Sequence, residues 1–369
     1  MGDLVWPLIC VVPQFSLHLL NRKSLPMTTC DKVNETNGLR RKVIKSEKLE
    51  EHYGGNTAVG WVSYLPPSWI PYVQLARLSP PAGLFLIYFP HLFGLIHAAI
   101  TLHSSPSEVL KACAVMFGGN FFFSNAIHIW NDLVEAPIDK LVARTAKRPI
   151  PRGAVSPFAA FVFAVTQAVG AALVLLYFLP VQGAIYAAPN MIPTAYYPYA
   201  KRHTYFAQVV LGIWLAWGVF MGSVALGAIP YVVDFANAEY SINESAVCLY
   251  LACILWTVIY DTIYTHQDIE DDTRIGVKSL AVLLGGKTKP ALTFVLGAMI
   301  VLLGASGQYA GMGLPFYVFS VVGSSLSLGA MITMVDLADS TSCWWWFRYG
   351  FWVTGVLISS GLLLEYTMI

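Results

Sequence analysis

Long apolar runs follow one another along most of this chain, and they restrict its fold more than any other feature. A transmembrane helix needs about 20 mostly apolar residues. The predicted spans cover residues 83–102, 108–130, 156–178, 182–199, 206–229, 246–266, 290–306, 314–336 and 346–368. The composition agrees, because 56% of the residues are hydrophobic, only 12% are charged and mean hydropathy is +0.60. We therefore expect an all-α, polytopic membrane protein built as a bundle of about nine transmembrane helices. Pro189 and Pro193 should kink or break the fourth span.

The chain divides by polarity into two predicted parts. Residues 1–75 are polar and predict a flexible N-terminal arm, and residues 76–369 predict one transmembrane domain. The first residues carry no basic region before their short apolar run, so we expect no cleaved signal peptide, and the mixed charge of the arm does not favour a transit peptide. The six cysteines form no CxxC pair, which argues against a zinc site or a redox dithiol.

The distribution of basic residues predicts how the bundle is oriented. If nine helices span the membrane, every lysine and arginine except Lys111 falls on the side that holds the N-terminal arm, provided that Arg348 at the start of the last span is counted there. Because cytoplasmic loops collect lysine and arginine, this side is predicted to face the cytoplasm, or the matrix of a mitochondrion. The net charge of +1 gives no reason to expect a nucleic-acid partner.

Two acidic clusters end spans that open on this same side. The first is "NDLVEAPID", residues 131–139, and the second is "DTIYTHQDIEDD", residues 261–272. On a helix, residues four apart share a face, so Asn131 aligns with Glu135, and Asp139 follows with a less secure placement after Pro137. In the second cluster Asp261, Thr265, Asp268 and Asp272 form a predicted stripe. The alternative is that both clusters are solvated charges that cap membrane helices.

Cations follow each of two spans on the acidic side. Arg144, Lys147 and Arg148 come directly after the first cluster, and Lys201 and Arg202 follow the fourth span. Carboxylates at this density need a cation, and oxygen ligands of this kind suit Mg²⁺, which shares its coordination with phosphates. Arginine and lysine bind phosphate through charge-assisted hydrogen bonds, although they also anchor membrane proteins to anionic lipid. The two clusters with the cations predict a site for a lipid diphosphate that opens on the cytoplasmic or matrix face.

Four sequence blocks resemble one known family. "NDLVEAPID" and "DTIYTHQDIEDD" are similar to the two aspartate-rich motifs of the UbiA-type intramembrane aromatic prenyltransferases, the family that contains the 4-hydroxybenzoate polyprenyltransferases. "ARTAKRPIPRG" (residues 143–153) and "YPYAKRHTYFAQVVLGIWLAWG" (residues 197–218) resemble two further segments of that family, in the same order. The resemblance implies a transmembrane prenyltransferase domain, Mg²⁺, a prenyl diphosphate donor and an aromatic acceptor.

The resemblance also implies roles for individual residues. Asn131, Glu135, Asp268 and Asp272 would hold the metal. Asp132, Asp139 and Asp261 would support catalysis. Arg144, Arg148, Lys201 and Arg202 would bind the diphosphate. The segment "CWWWFRYG", residues 343–350, is interpreted as an interfacial aromatic belt rather than as part of the site.

Two departures from the family pattern bear on the substrate. Glu135 stands where aspartate is usual, and "RLSPPAG", residues 77–83, lacks a charge that ubiquinone-pathway members carry. We therefore expect a fungal-type enzyme of the endoplasmic reticulum that farnesylates a polyketide phenol in meroterpenoid biosynthesis. One alternative is a 4-hydroxybenzoate polyprenyltransferase of ubiquinone biosynthesis in the mitochondrial inner membrane. Another is a secondary transporter with an acidic ion site, which would more often hold its ions at mid-membrane.

Overall fold

The computed structural model describes residues 60–142, 144–234 and 239–368. Residues 1–59, which hold most of the predicted arm and the segment considered as a targeting signal, lie outside the described residues. The remainder of the predicted arm contains a 3-10 turn over Gly60–Tyr64 and helix α1 over Ile70–Leu75. The division of the chain into an arm and a membrane domain stays a prediction.

Helices make up most of the described chain. After α1 they are α2 (Ala82–Leu102), α3 (Pro106–Asp139), α4 (Pro157–Phe178), α5 (Gln182–His203), α6 (Ala207–Ala216), α7 (Gly218–Ala225), α8 (Glu244–Thr265), α9 (Ile269–Ile275), α10 (Leu280–Leu284), α11 (Thr288–Tyr309), α12 (Ser324–Met334) and α13 (Ser340–Thr367). Further 3-10 turns cover His266–Asp268 and Gly285–Lys287, and a π-helical segment over Phe316–Gly323 runs directly into α12. An antiparallel hairpin of β1 (Tyr231–Asp234) and β2 (Glu239–Ile242) connects α7 to α8 and pairs Tyr231 with Ile242.

Eight helical segments of the described chain are long and apolar enough to cross a membrane. They are Ala82–Leu102, Pro106–Asp139, Pro157–Phe178, Ala207–Ala225, Glu244–Ile275, Leu280–Tyr309, Phe316–Met334 and Ser340–Thr367. Helix α5 occupies the place of the fourth predicted span and has the length of one, 22 residues, although its prolines and basic end make it more polar. The predicted all-α membrane bundle is confirmed.

Several of these helices begin at a side chain that caps them. Ser105 accepts a hydrogen bond from the backbone N–H of Glu108, whose carboxylate in turn accepts from the backbone N–H of Ser105. Ser156 and Asn243 cap α4 and α8. Their side-chain oxygens accept hydrogen bonds from the backbone N–H groups of Ala159 and Ala246. These caps satisfy N–H groups that a helix leaves without an internal partner.

Helix α5 bears on one prediction from the sequence. Pro189 and Pro193 are predicted to kink or break the fourth span, and no break occurs, because α5 runs through both of them and through Pro198. Proline fixes φ at a value that a helix accepts and removes one hydrogen bond. In α5 that loss is tolerated because the helix packs against α3, α6 and α7, as is common for proline in membrane bundles.

The centre of the bundle and its edge differ in packing. In α2, 78% of the most apolar stretch is buried, against 11% in α4, so α2 is an interior helix and α4 faces the surroundings. Helix α2 crosses α7 with backbone against backbone, because a Cβ added at Gly94 or Gly222 would overlap the partner's main chain. Helix α2 and the buried helix α8 both contribute residues to the lining of the site described below.

Candidate active site

The first acidic cluster lies on one continuous helix. Helix α3 extends through Pro137 to Asp139, so Asp139, for which a less secure placement is predicted, still belongs to the helix. Asn131 Nδ2 donates to Glu135 Oε2 at 2.8 Å, as the four-residue spacing predicts. Asp139 is buried, and its Oδ2 lies 2.8 Å from Nη1 of Arg148. This ion pair holds Asp139 in place where the proline removes a helical hydrogen bond.

One arginine contacts all three carboxylates of the first cluster. Nη1 of Arg148 lies 3.2 Å from Asp132 Oδ1, 2.8 Å from Asp139 Oδ2 and 4.0 Å from Glu135 Oε2. A second arginine, Arg77, contributes Nη2 at 2.6 Å from Asp132 Oδ1. Buried carboxylates are stable only when paired with cations, so Arg148 and Arg77 account for the charge that the sequence concentrates here.

The second cluster lies across a change of helix type. Helix α8 ends at Thr265, the 3-10 turn over His266–Asp268 follows, and α9 begins at Ile269. The predicted stripe therefore crosses a 3-10 turn, which has three residues per turn, and is not carried by one continuous α-helix. Asp261 and Asp272 are nevertheless buried.

The two clusters meet through Arg144. Its Nε and Nη2 donate to Asp268 at 2.9 and 2.6 Å, and its Nη1 donates to the Tyr264 hydroxyl at 2.9 Å. Burial alone would lower the pKa of the Arg144 guanidinium, but the Asp268 carboxylate raises that pKa well above its ordinary value, so the group stays charged. The loop after α3 is thereby joined to the end of α8, as the prediction that both clusters open on one side requires.

A polar cavity of about 120 Å³ lies between the clusters. Six of the predicted site residues line it: Asn131, Glu135, Arg144, Arg148, Lys201 and Asp261. Nζ of Lys201 lies 3.4 Å from Glu135 Oε1, which brings the end of α5 to the first cluster. These six predicted residues, three cations, two carboxylates and an amide, line the same cavity. This composition suits an anion together with a metal ion.

The other predicted residues stand outside the lining of this polar cavity. Asp132 and Asp139 lie behind Arg148, and Asp268 lies behind Arg144. Asp272 is buried beside the turn that ends α9. Arg202 is exposed, and its Nη2 donates to the Val134 carbonyl at 2.8 Å. The structure therefore brings three of the four predicted diphosphate ligands to the cavity and leaves Arg202 apart.

Three further residues line the polar cavity, and for two of them, Arg77 and Phe347, the sequence reasoning assigned no role in the site. Arg77 adopts a positive φ of 51°, uncommon outside glycine, and turns toward Asp132. The indole N–H of Trp214 is buried and has no hydrogen-bond partner among the described residues. Phe347 comes from the segment interpreted as an aromatic belt, yet it packs on Tyr264 with ring centroids 4.4 Å apart. Its neighbours Trp345 and Tyr349 are exposed, as a belt requires.

An apolar cavity of about 420 Å³ adjoins the polar one. It is lined mainly by α3, α4 and α5, and Ile127 and Thr194 line both cavities. Charged side chains, Lys201 among them, therefore line the polar cavity, and the apolar cavity adjoins it between α3, α4 and α5. This arrangement matches an amphipathic ligand with an anionic head.

The donor atoms for a metal are of the right kind for Mg²⁺. Asn131 Oδ1 is buried without a hydrogen-bond partner among the described residues, and Glu135 lies four residues away on the same cavity wall. Amide and carboxylate oxygens are typical Mg²⁺ ligands. Among the described residues no three His, Cys, Asp or Glu side chains are grouped to hold a metal, because arginines occupy several of the carboxylates.

Comparisons with known proteins agree with this geometry. The model of the UbiA prenyltransferase family matches residues 87–355. A mitochondrial 4-hydroxybenzoate polyprenyltransferase of Schizosaccharomyces pombe is 33% identical over 307 residues, which cover 83% of this chain and 82% of that protein. Prenyltransferase stbC of Stachybotrys bisbyi is 33% identical over 317 residues, 83% of this chain and 90% of that one.

A solved structure shares the fold. A UbiA homologue from Archaeoglobus fulgidus bound to GPP and Mg²⁺ superposes with a TM-score of 0.56 at 15% identity, covering 80% of this chain and 99% of that one. The family resemblance of the four sequence blocks is confirmed by the family model and by the two relatives, and the solved structure agrees in fold. This chain belongs to the UbiA prenyltransferase family and is a membrane prenyltransferase.

Proposed function

We propose that this enzyme transfers a farnesyl group from farnesyl diphosphate to a polyketide phenol in meroterpenoid biosynthesis, and that it depends on Mg²⁺. The observation that carries the proposal is the polar cavity, where Arg144, Arg148 and Lys201 face Glu135 and Asp261, with an apolar cavity beside it. The cations suit a diphosphate, and the apolar neighbour suits the hydrocarbon and the aromatic ring. The departures at Glu135 and in residues 77–83 support a phenol other than 4-hydroxybenzoate.

The metal would be held first by the oxygens that reach the polar cavity. Asn131, with its unpartnered Oδ1, and Glu135 supply these, and Asp268 and Asp272 are the further ligands that we propose. When bound, Mg²⁺ neutralises charge on the diphosphate as it leaves. The archaeal homologue solved with GPP and Mg²⁺ supports this assignment.

The residues of the chain carry the rest of the proposed reaction. Arg144, Arg148 and Lys201 hold the diphosphate while the bond between its oxygen and the allylic carbon breaks, and the diphosphate leaves with the bonding electrons. A ring carbon of the phenol forms the new carbon–carbon bond and then loses its proton to a carboxylate. Asp261 is the residue proposed for this base, because it lines the polar cavity opposite the cations.

Aromatic side chains protect the allylic cation. Tyr260, Tyr264 and Phe347 line the polar cavity and offer ring faces that attract positive charge. They also exclude water, which would otherwise capture the cation as an alcohol. The family fold and this lining together favour prenyl transfer over the transporter considered from the sequence.

A second candidate is the 4-hydroxybenzoate polyprenyltransferase of ubiquinone biosynthesis. It is favoured by the similarity to the Schizosaccharomyces pombe enzyme, which covers 83% of this chain. Under this alternative the membrane would be the mitochondrial inner membrane, whereas the polyketide proposal places the enzyme in the endoplasmic reticulum. The two candidates differ in acceptor and donor but share the polar cavity.

One experiment separates them. Membranes from a yeast strain that lacks its own 4-hydroxybenzoate polyprenyltransferase and expresses the chain are incubated with Mg²⁺, with geranyl, farnesyl, geranylgeranyl or hexaprenyl diphosphate, and with 4-hydroxybenzoate or 2,4-dihydroxy-6-methylbenzoate. The same strain without the chain gives the background, and products are identified by mass. Farnesylated dihydroxybenzoate supports the proposal, and a long-chain product of 4-hydroxybenzoate supports the alternative. Asp261→Asn should remove the product, while Lys289→Gln, an exposed cation bonded to the Thr333 carbonyl, serves as the matched control. Absence of any prenylated phenol in the presence of intact protein would refute both.

A further inference from the structure

The apolar cavity contains two polar atoms that the proposed reaction does not use. Asn120 and Asn190 line it and are only 3% and 9% exposed. The side-chain oxygen of each has no hydrogen-bond partner among the described residues. A buried amide oxygen that lacks a donor is costly, so two of them in one cavity indicate a ligand that carries hydrogen-bond donors.

The orientation of both amides follows from their neighbours. Nδ2 of Asn120 donates to the Met116 carbonyl at 2.8 Å, and Nδ2 of Asn190 donates to the Trp214 carbonyl at 3.2 Å. A carbonyl accepts but cannot donate, so turning either amide over would place two acceptors against each other. The oxygens are therefore the atoms left to a ligand in the cavity.

The chemistry of these oxygens distinguishes between the two substrates. A prenyl chain is a hydrocarbon and offers no donor, so it would leave both oxygens unpaired if it filled this cavity. A phenol offers hydroxyl donors together with a ring that suits apolar walls. Phe123, Trp130 and Phe161 supply aromatic surface in the same lining. The cavity thus fits a hydroxylated aromatic molecule better than an isoprenoid chain.

Helix α5 connects this cavity to the diphosphate end of the site. Asn190, Thr194, Tyr197 and Lys201 follow one another along one face, and Thr194 lines both cavities. With a rise of 1.5 Å per residue, Asn190 lies about 16 Å along the helix axis from Lys201. The face between them carries a hydroxyl and a phenol, which can accept or donate hydrogen bonds along the way.

We propose that the apolar cavity receives the phenolic acceptor from the bilayer, and that Asn120 and Asn190 accept hydrogen bonds from its hydroxyl groups before it reaches the polar cavity. This inference rests on the proposed function, since it assumes a phenolic acceptor. It assigns to Asn120 and Asn190 a part in acceptor recognition, apart from the groups that hold the donor. The peripheral position of α4, with much of its surface exposed, leaves one side of this cavity close to lipid.

The test measures steady-state kinetics of Asn120→Leu and Asn190→Leu in membranes, with the phenol that the wild-type enzyme prenylates best. Each change keeps the number and branching of the side-chain heavy atoms and removes the whole amide, its oxygen together with Nδ2. KM for the phenol should rise about five- to tenfold, the loss expected for one hydrogen bond to a neutral partner, while KM for the prenyl diphosphate stays within twofold. Met116→Leu, a volume-conserving change in the same lining, is the matched control and should alter neither constant.

A second comparison uses the acceptor instead of the enzyme. The mono-O-methyl ethers of the phenol lose one donor each, so wild type should bind at least one of them with a higher KM, and the Asn→Leu variants should lose that discrimination. A raised KM for the donor with an unchanged KM for the phenol would overturn the inference, and so would full discrimination in both variants.

If a leucine variant is not recovered in membranes, Asn120→Ala and Asn190→Ala, which leave free space at the cavity wall, are measured in its place. A wild-type enzyme that prenylates no phenol refutes the proposed function itself, and this result differs from either of those outcomes.

Discussion

The two acidic clusters contain similar residues but are held in different ways. In the first, Asp132, Glu135 and Asp139 lie on one uninterrupted helix and share the guanidinium of Arg148. In the second, the helix changes type after Thr265, and Asp268 is bound by Arg144. The carboxylates of the first cluster share one guanidinium, to which Arg77 and Lys201 add further ion pairs, whereas the second cluster spans a change of helix type.

Because of this difference, we expect substitutions in the two clusters to affect folding stability and catalysis to different extents. Removing the shared cation from the first cluster leaves several buried negative charges together, which the fold cannot relieve by solvation. In the second cluster Asp268 is 14% exposed and forms an ion pair with one guanidinium, that of Arg144, so a change there leaves fewer buried charges unpaired. We expect substitutions in the first cluster to affect folding and activity together, and substitutions in the second to affect mainly activity.

The largest effect is expected for Arg148→Leu. It leaves Asp132 and Asp139 buried without their shared partner, and breaking a buried ion pair costs about 3–5 kcal/mol. The thermal unfolding midpoint of the protein in detergent should fall sharply, and prenyl transfer should be lost. Arg148→Lys keeps one charge and should recover part of the midpoint. A midpoint equal to that of wild type would show that Arg148 does not hold the first cluster together.

The next largest effect is expected for Asp268→Asn. The amide keeps a hydrogen-bond acceptor for Arg144 but loses the charge that we assign to the metal site. Turnover should fall on the order of 100-fold or more, as for loss of one electrostatic group in an active site, while the unfolding midpoint changes little. Activity is assayed over a range of Mg²⁺ concentrations. If Asp268→Asn kept the turnover and the Mg²⁺ dependence of wild type, Asp268 would not be a ligand of the metal.

The same two clusters show how far the sequence can predict the site. Spacing along one helix is local information, and it correctly predicts the contact between Asn131 and Glu135. In the second cluster the spacing treated residues 261–272 as one α-helix, and it did not predict the 3-10 turn after Thr265. Helix parity was sufficient to bring the two clusters to one side of the bundle.

Contacts between distant parts of the chain could not be predicted from the sequence. Arg77 reaches Asp132 from 55 positions away, and nothing in its own neighbourhood marks it as a partner of the first cluster. Phe347 lies in a run of aromatic residues typical of a membrane interface, and only the packing of α13 turns it toward the polar cavity. The pattern of apolar spans, eight of which match candidate membrane spans of the described chain, follows in contrast from hydrophobic length alone.

A smaller effect in the second cluster is expected for Gly276→Ala. Gly276 ends α9 with a φ of +76°, a conformation that costs a residue with a Cβ about 1–2 kcal/mol. A Cβ there would meet no other atom within 4 Å, so the cost is one of backbone conformation only. The unfolding midpoint should fall modestly, and KM for Mg²⁺ should rise if the end of α9 positions Asp272. Gly153→Ala, at another positive φ with open space, is the matched control and should leave KM for Mg²⁺ unchanged.

The smallest effect is expected for Arg202→Ala, which compares two adjacent cations at the end of α5. Lys201 lines the polar cavity and lies 3.4 Å from Glu135, whereas Arg202 is exposed and donates to the Val134 carbonyl. Exposed charges of this kind contribute about 0–1 kcal/mol, so KM for the prenyl diphosphate should stay within a fewfold of wild type. Lys201→Ala should raise the same constant much further, because it removes a cation from the cavity itself. Equal losses in the two variants would show that Arg202 turns toward the diphosphate when substrate binds, and the family role expected for it from the sequence would then hold.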